Sequence, residues 1–376
     1  MTARRLAGAT ACAVLVPLLS ALPPAPPLDT SGPGAIAAGA VVPAAQQADA
    51  SVPVRSTRLE RRDASAGLSP ALSAITRADQ GAHWVGWSVP AAATRDRRPG
   101  RHEGEVGHCV LDDEGGIRHD GGFSGSATGL VVLMRREAGR VTRVAFADQR
   151  CTVEAGSRPV YWLDGVVPAQ SVQVLAGLAA DAAAGGGEDR PQKQALVALA
   201  LHRDPAADAA LNGFVAAGQP RDLRRDAAFW LGAARGEAGA AAIERLARQD
   251  EDDDFREHLT FVLTLVGERG VDRLLELAKG DRSAKVRGQA LFWLGQKAGQ
   301  RAVSALDRAV AEDPDREVRK KAVFSLSQLP RDEGIPKLIS VARTHRDPEV
   351  RKQAMFWLGQ SGDARAVAFF EDVLRK

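Results

Sequence analysis

A ten-residue phrase that recurs at a fixed interval constrains this chain more than any other feature. The phrase at 286–295 reads V-R-G-Q-A-L-F-W-L-G, and 350–359 repeats it as V-R-K-Q-A-M-F-W-L-G. Weaker copies begin at Leu223, Phe255 and Val318, so that successive copies start 31 or 32 residues apart, and a fainter copy covers 191–200. A period of this length is typical of stacked supersecondary units, none of which buries its apolar face alone.

Each unit is predicted to be a pair of helices. Asp347 and Pro348 stand just before the last phrase, as an N-cap and a first helical residue would. Glycines at 232, 295 and 359 close three phrases, and we interpret them as helix C-caps. A second amphipathic run follows each phrase after a short polar turn. The residues predicted to hold the repeats together are Val286, Arg287, Ala290, Trp293, Leu294, Val318, Arg319, Val350, Arg351, Ala354, Trp357 and Leu358.

The phrase V-R-x-x-A-x-x-x-L-G, with Asp-Pro before it, resembles the HEAT-repeat family. Its short period is most similar to the bacterial PBS-lyase-type HEAT-like branch, although Thr264 and Ser327 stand where glycine is expected. The resemblance covers about the C-terminal half and implies an α-solenoid of about six helical hairpins over 191–376. It also implies a structural Asp/Arg ladder that includes Arg287, Arg319 and Arg351. A ligand-binding stripe of arginines is the alternative.

Two aromatic columns run through the repeats. Phenylalanine recurs in one phase, whereas tryptophan occupies the next phase only in alternate repeats, at 230, 293 and 357. Tryptophan is predicted to fill the core within each repeat while phenylalanine packs between repeats. An exposed aromatic ridge for docking another protein is the alternative. The sequence offers no reason for the alternation.

The N-terminus predicts export. Arg4 and Arg5 precede an apolar stretch at 6–22, and prolines follow it, so residues 1–28 are predicted to be a signal peptide. An uncleaved N-terminal anchor is the alternative. Residues 29–80 are rich in Ala and Pro and are predicted to form a disordered linker. The expected location is therefore periplasmic or secreted, or inner-membrane anchored if the signal is retained.

A small β-rich domain is predicted at 81–167. Strands are expected at 83–89 and 160–163, and a hairpin is expected to join 130–134 to 141–146. Cys109 and Cys151 remain after signal removal, and an even number of cysteines in an exported chain favours a disulfide. Residues 168–190 are predicted to be a connecting helix and a glycine hinge. The fold class is thus multidomain α+β, with the β-rich domain preceding the solenoid.

No catalytic motif emerges. His102-Glu103 begins like a zincin motif, but the second histidine that the motif requires is missing. A loose metal site from His102, His108, Cys109 and His119 matches no standard zinc spacing, so no metal or cofactor is predicted. Deoxyhypusine hydroxylase, a catalytic HEAT-like family, repeats His-Glu pairs, whereas the repeats here hold only Glu257-His258, in reversed order.

The expected function is a non-catalytic scaffold that binds a protein or peptide. Net charge is only +3, so a nucleic-acid partner is not expected. Membrane contact is expected only if the N-terminal segment is uncleaved. A metal-dependent enzyme and a membrane-retained sensor remain alternatives. In the HEAT resemblance the second helices line the binding face, which gives the candidate contacts Arg245, Arg248, Arg273, Glu276, Arg308, Lys337 and Arg343.

Overall fold

A computed structural model describes residues 52–92, 109–111, 117–119, 128–181, 190–297 and 299–375. These residues belong to one compact unit, Ser51–Lys376. The predicted signal peptide and the N-terminal part of the predicted linker lie outside the described residues, as do the glycines of the predicted hinge. The architecture is α+β, with a small sheet domain followed by consecutive helical hairpins, which confirms the predicted fold class.

The described residues of the N-terminal domain form two sheets. The strands are β1 (Val54–Arg55), β2 (Arg58–Asp63), β3 (His83–Pro90), β4 (Cys109–Leu111), β5 (Ile117–His119), β6 (Gly129–Glu137), β7 (Arg140–Asp148), β8 (Val153–Glu154) and β9 (Pro159–Asp164). The smaller sheet has the order β1-β8-β4-β5 and the larger has β2-β9-β3-β6-β7. In the larger sheet β9 runs parallel to both of its neighbours, whereas β3, β6 and β7 pair antiparallel.

The predicted hairpin is the β6–β7 ribbon. Its turn has φ of 48° at Ala138 and 76° at Gly139, the left-handed pair that a two-residue hairpin loop favours because it matches strand twist. Strand β3 is central and buried on both faces. Trp84 packs into the core shared with the smaller sheet, while Val85 and Trp87 pack toward the helices.

The predicted linker boundary at residue 80 is wrong, because 54–78 already belong to the folded domain. Strands β1 and β2 pair in parallel with β8 and β9, and helix α1 (Leu68–Ala78) buries Leu68, Leu72 and Ile75. Helix α2 (Pro168–Ala180) is the predicted connecting helix. Its Ser171 accepts a buried hydrogen bond of 2.9 Å from the Trp87 indole, which ties α2 to the middle of the sheet.

Six helical hairpins follow. Their first helices are α3 (Pro191–Ala200), α5 (Arg221–Ala234), α7 (Asp253–Leu263), α9 (Ala284–Lys297), α11 (Arg316–Ser327) and α13 (Pro348–Ser361). Their second helices are α4 (Pro205–Phe214), α6 (Gly236–Gln249), α8 (Glu268–Gly280), α10 (Gln300–Glu312), α12 (Arg331–Thr344) and α14 (Ala364–Leu374). Val286, Val318 and Val350 are buried at the same position of successive first helices, as the period predicts.

The helix starts agree with the sequence, but the stops do not. Asp347 caps α13 by accepting from the Glu349 backbone N–H, as predicted. The glycines interpreted as C-caps instead lie inside their helices. A Cβ at Gly232 would stand 2.5 Å from Val262 Cγ1, and one at Gly295 would stand 3.0 Å from Ser325 Cβ. These two glycines therefore let successive first helices approach closely.

One hydrophobic core runs from the larger sheet through the hairpins. The β-domain and the first hairpin are also joined by backbone hydrogen bonds. Ala92 donates to the Leu201 carbonyl at 2.7 Å, and Arg203 donates to the Pro90 carbonyl at 3.0 Å. The β-domain thus covers the N-terminal end of the array. Among the described residues no helix is both long and apolar enough to cross a membrane.

Candidate binding face on the second helices

A ladder of arginines links the turns between hairpins. Each of these arginines is the second residue of a phrase copy and donates to a backbone carbonyl of the preceding turn. Arg287 is typical: it donates to the Asp281 carbonyl at 2.9 Å and makes two bonds, of 2.8 and 2.9 Å, to the Asp313 carboxylate. Both side chains are buried. The members of the ladder are Arg224, Arg256, Arg287, Arg319 and Arg351.

Most arginines of the ladder form ion pairs with aspartates of the fold. Arg224 pairs with Asp250 at 2.6 Å and Arg256 pairs with Asp281 at 3.0 Å. Arg319 pairs with Asp347 at 2.9 Å, and this contact holds the pKa of Asp347 at about 2. Since the guanidinium groups already have acceptors, the geometry favours the structural ladder over the ligand-binding stripe. Arg351 differs, because its bonds go only to the backbone carbonyls of the preceding turn.

Two adjacent clefts open between the C-terminal ends of the second helices. Cleft 1, about 260 Å³, lies between α6 and α8 and is lined by Arg248, Arg256, Arg273, Glu276, Asp281 and Arg282. Cleft 2, about 370 Å³, lies between α8 and α10, and its charged lining is Lys279, Asp281, Arg287, Arg308, Glu312 and Asp313. Gly280 and Asp281 line both, so the clefts adjoin each other.

Three of the cations that line the clefts have no bonding partner among the described residues. Arg248, Lys279 and Arg308 are exposed, and their side chains make no hydrogen bond or ion pair with any other described residue. Arg273 is only 9% exposed and pairs with Glu276, but its buried Nε–H has no acceptor within the described residues. A buried donor without an acceptor loses its hydration without compensation, so an incoming acceptor would be stabilised there.

The structure gathers four of the seven predicted contact residues into the clefts, namely Arg248, Arg273, Glu276 and Arg308. The other three lie elsewhere on the second-helix face. Arg245 donates to the Asn212 side chain at 3.5 Å, Lys337 pairs with Asp307, and Arg343 pairs with Asp372 at 2.9 Å. Their binding role stays a prediction.

Lys279 was missed by the sequence reasoning. The signal was available, since Lys279 follows Arg248 by 31 residues, one repeat period, and both stand two residues before an Asp that ends the helix. Glu312 was also missed. It lines cleft 2 from the last turn of α10, four residues after Arg308.

The aromatic residues form a ring-to-ring chain between repeats. Phe261 stacks on Phe229 at 6.2 Å and contacts Trp293 at 5.2 Å. Phe324 makes the equivalent contacts with Phe292 at 6.1 Å and Trp357 at 4.9 Å. Phenylalanine thus packs between repeats, as predicted. Trp293 and Trp357 are partly exposed and pack against the hydrophobic core, and they also contact the preceding repeat, which the prediction did not include.

The glycine contacts account for the alternation of tryptophan. Val262 and Ser325 occupy the tryptophan phase in the repeats that follow Gly232 and Gly295. A large side chain has no room at these close approaches. In this phase tryptophan occurs only where the preceding repeat carries Ala200, Thr264 or Ser327 in place of glycine.

The disulfide joins Cys109 in β4 to Cys151, which precedes β8, with a Cα–Cα distance of 5.9 Å. Both residues are buried in the core between the two sheets. Cys109 therefore has no thiolate to offer the loose metal site considered above. His102 and His108 lie outside the described residues. In the described part of the chain, no group of three or more His, Cys, Asp or Glu is arranged to hold a metal.

Three of the histidines, His202, His258 and His345, make contacts within the fold. His202 is fully buried at the junction with the β-domain, and burial lowers its pKa to about 4. The Nε2 atoms of His258 and His345 lie 3.1 and 2.9 Å from backbone carbonyls of the preceding hairpin. These contacts join consecutive repeats.

A comparison with protein-family models identifies the repeats in the C-terminal part of the chain. The family model for HEAT repeats matches residues 271–342 and 308–376. No curated protein matches the chain. Similar solved structures cover about half of this chain. One is human deoxyhypusine hydroxylase in complex with glycerol, with 17% identity, 55% of this chain and 90% of that chain covered, and a TM-score of 0.25. Another is the CpcE–CpcF complex of phycocyanin lyase from a Nostoc species, with 19% identity, 54% of this chain and 81% of that chain covered, and a TM-score of 0.29. A third is YibA of Escherichia coli, with 15% identity, 55% of this chain and 76% of that chain covered, and a TM-score of 0.34. The helical hairpins over residues 271–376 are HEAT repeats by the match to this family model.

Proposed function

We propose that this chain is a non-catalytic protein-interaction scaffold of the bacterial cell envelope, which binds an acidic segment of a partner protein on its second-helix face. The observation that supports this proposal most is the set of three exposed cations without partners, Arg248, Lys279 and Arg308, on consecutive second helices. Stacked repeats present extended binding surfaces, and complementary charge selects a partner for such a surface.

The charge around the clefts supports an anionic partner. In cleft 1 Arg256 pairs with both Asp281 and Asp253, Arg282 pairs with Glu251, and Arg273 pairs with Glu276, so that Arg248 is the one lining arginine without a carboxylate partner among the described residues. In cleft 2 the pair Arg287–Asp313 is neutral, and Lys279 and Arg308 outweigh Glu312. Counted together, the linings of the two clefts hold seven cations and four carboxylates, and the partners Glu251 and Asp253 reduce the excess to one positive charge over both clefts.

Export is part of the proposal. It is supported by the apolar segment at 6–22 after Arg4 and Arg5, and by the buried disulfide between Cys109 and Cys151, since such bonds persist in oxidising compartments. Fusion of residues 1–50 to a phosphatase that is active only after export tests this part. An inactive fusion, made in amounts equal to an exported control, would refute export.

Binding is tested with a fluorescein-labelled oligoglutamate and the full chain, by anisotropy at low and high salt. Arg248→Glu/Arg308→Glu is expected to weaken binding about tenfold or more at low salt, because two attractions become repulsions. The control Arg346→Glu/Lys352→Glu changes net charge equally, at two exposed positions outside the clefts. Equal losses in both variants, or no binding of the probe by the unmodified chain, would refute the proposal.

A further inference from the structure

We infer that clefts 1 and 2 are consecutive subsites for one extended acidic peptide whose carboxylates stand three residues apart. This inference rests on the proposed function and names the ligand that the second-helix face takes. It begins from the adjacency of the two clefts, which share Gly280 and Asp281. A chain lying along the face would pass from α6 over α8 to α10 without leaving the pair of clefts.

Cleft 1 is equipped to take one carboxylate. Arg248 lies at the rim of the cleft, exposed and without a partner among the described residues. Arg273 is only 9% exposed, and its Nε–H donates to no described residue. Two cationic donors with free hydrogen-bonding capacity suit a carboxylate, which accepts from both. Asp281 does not compete for them, because Arg256 occupies both of its oxygens at 3.0 and 3.2 Å.

Cleft 2 is equipped to take a second carboxylate. Lys279 and Arg308 approach it from α8 and α10, and neither has a partner among the described residues. Arg287 is held by Asp313 and does not take part. Volumes of about 260 and 370 Å³ lie at the lower end of the range for drug-sized ligands, so each cleft fits a side chain better than a whole small molecule.

The repeat geometry sets the spacing of the carboxylates. Packed helices lie about 8–10 Å apart, and the two subsites differ by one second helix. An extended peptide rises about 3.3 Å per residue, so about three residues cover that distance. Side chains at i and i+3 of an ideal strand point to opposite faces, so the bound peptide needs the threefold turn of a polyproline II conformation, which rises about 3.1 Å per residue. Three residues of that conformation span about 9 Å and return the side chain to the same face.

A nucleic acid fits this face less well than an acidic peptide. Each strand of a duplex carries a phosphate about every 3.4 Å, far denser than one free cationic site per repeat. Glu276 and Glu312 are also exposed at the clefts and would repel a continuous line of phosphates. Isolated carboxylates at intervals avoid both problems.

The test compares short fluorescein-labelled peptides of identical composition, each with two glutamates in a Pro- and Ser-rich background. The glutamates stand one, three or five residues apart. The peptide with a spacing of three is expected to bind the full chain about fivefold more tightly than the others, since only it fills both subsites. Arg308→Gln is expected to remove this preference, whereas Lys352→Gln, an exposed position on α13, is expected to preserve it.

The outcomes separate the inference from the proposed function. Equal affinity at every spacing, with binding still lost in Arg248→Glu/Arg308→Glu, overturns the spacing and leaves the acidic-partner proposal standing. Failure of oligoglutamate and of every peptide to bind overturns both. Tighter binding of a single-stranded oligonucleotide of equal charge, also lost in Arg308→Gln, overturns the peptide as occupant. Circular dichroism confirms that each variant is folded.

Discussion

The Arg287–Asp313 pair offers the sharpest test of what holds the array together. The perturbation is Arg287→Met, which keeps an unbranched apolar stem in place of the aliphatic part of arginine and removes the guanidinium group with its charge. Arg287 and Asp313 are 9% and 7% exposed, and two charge-assisted hydrogen bonds join them. Removing one partner of such a pair leaves a buried carboxylate without its counterion, at a cost of about 3–5 kcal/mol. The third bond of Arg287, to the Asp281 carbonyl, is lost as well.

Arg351→Met is the matched control. Arg351 holds the same repeat position but is half-buried, and its bonds go only to the carbonyls of His345 and Arg346. Its loss strands no carboxylate, so the expected destabilisation is about 1–2 kcal/mol. The double variant Arg287→Met/Asp313→Asn is expected to be less destabilised than the sum of its single variants by about 1 kcal/mol or more, because the pair interacts directly.

Urea unfolding followed by far-UV circular dichroism measures these differences. With a slope of about 2–3 kcal/mol per molar urea, a loss of about 3 kcal/mol lowers the midpoint by about 1 M or more. Hydrogen exchange then locates the weakened segment, which is expected to be α9 and α10. Repeat arrays unfold in parts, so the local readout is needed beside the global one. Equal midpoints for Arg287→Met and Arg351→Met would refute the reasoning.

Three further perturbations have expected outcomes. Cys109→Ser/Cys151→Ser is expected to lower stability by about 4 kcal/mol in the chain-entropy model, measured by urea unfolding against the oxidised protein, and an unchanged midpoint would contradict it. Gly232→Ala is expected to destabilise because its Cβ has no room, whereas Gly359→Ala, with nothing within 4 Å, is expected to stabilise by up to about 1 kcal/mol. Thermal melts that shift in the same direction would oppose this. The pKa of His202 in the folded protein is about 4, below its ordinary value of 6.5, so the folded state favours the neutral imidazole. The free energy of unfolding is therefore unaffected by this group above pH 6.5 and falls by about 3 kcal/mol as the pH is lowered to 4. His202→Asn is expected to flatten that part of the pH–stability curve, and a curve of unchanged slope would refute the assignment.

The solenoid was predictable because its signal is repeated. A fixed period averages over local exceptions, so helices, turns and the Asp347 cap follow from the phrase alone. The end of the phrase misled for a physical reason. Gly232 and Gly295 are the residue type expected at a helix C-cap, but α5 and α9 continue past them. The lack of a side chain at these positions instead allows the next first helix to pack closely. Sequence adjacent to a glycine does not distinguish these two uses.

The β-domain was only partly predictable. Strand β3 and the two strands of the β6–β7 hairpin are rich in apolar residues, and a polar turn separates β6 from β7, so the sequence predicts them. Strand β2 has the sequence R-L-E-R-R-D and lies exposed at the edge of its sheet, so it carries no apolar pattern. Its position depends on pairing with β9, about a hundred residues later in the chain. Such long-range pairing leaves no local signal.

The sequence predicted that cations on the second helices would form the candidate site, but not which of them lie together in the clefts. Cations on the second helices follow from the helical phase, which singled out Arg248 and Arg308. Which of them stay free depends on the position of carboxylates in neighbouring repeats. Asp307 neutralises Lys337 and Asp372 neutralises Arg343, and neither pairing can be read from a single repeat. The clefts become visible only when three hairpins are packed together.

Successive first helices meet alternately through a glycine, at Gly232 and Gly295, and through a tryptophan, at Trp293 and Trp357. The interface pattern therefore repeats every two hairpins rather than every hairpin. Deleting α7 and α8 alone would bring Trp293 against Gly232, where a large side chain cannot fit. Deleting α7 to α10 together would bring Ser325 there and restore the match. Such an array can grow or shrink by duplication and loss only in even steps, which sets a rule for anyone who wishes to lengthen it.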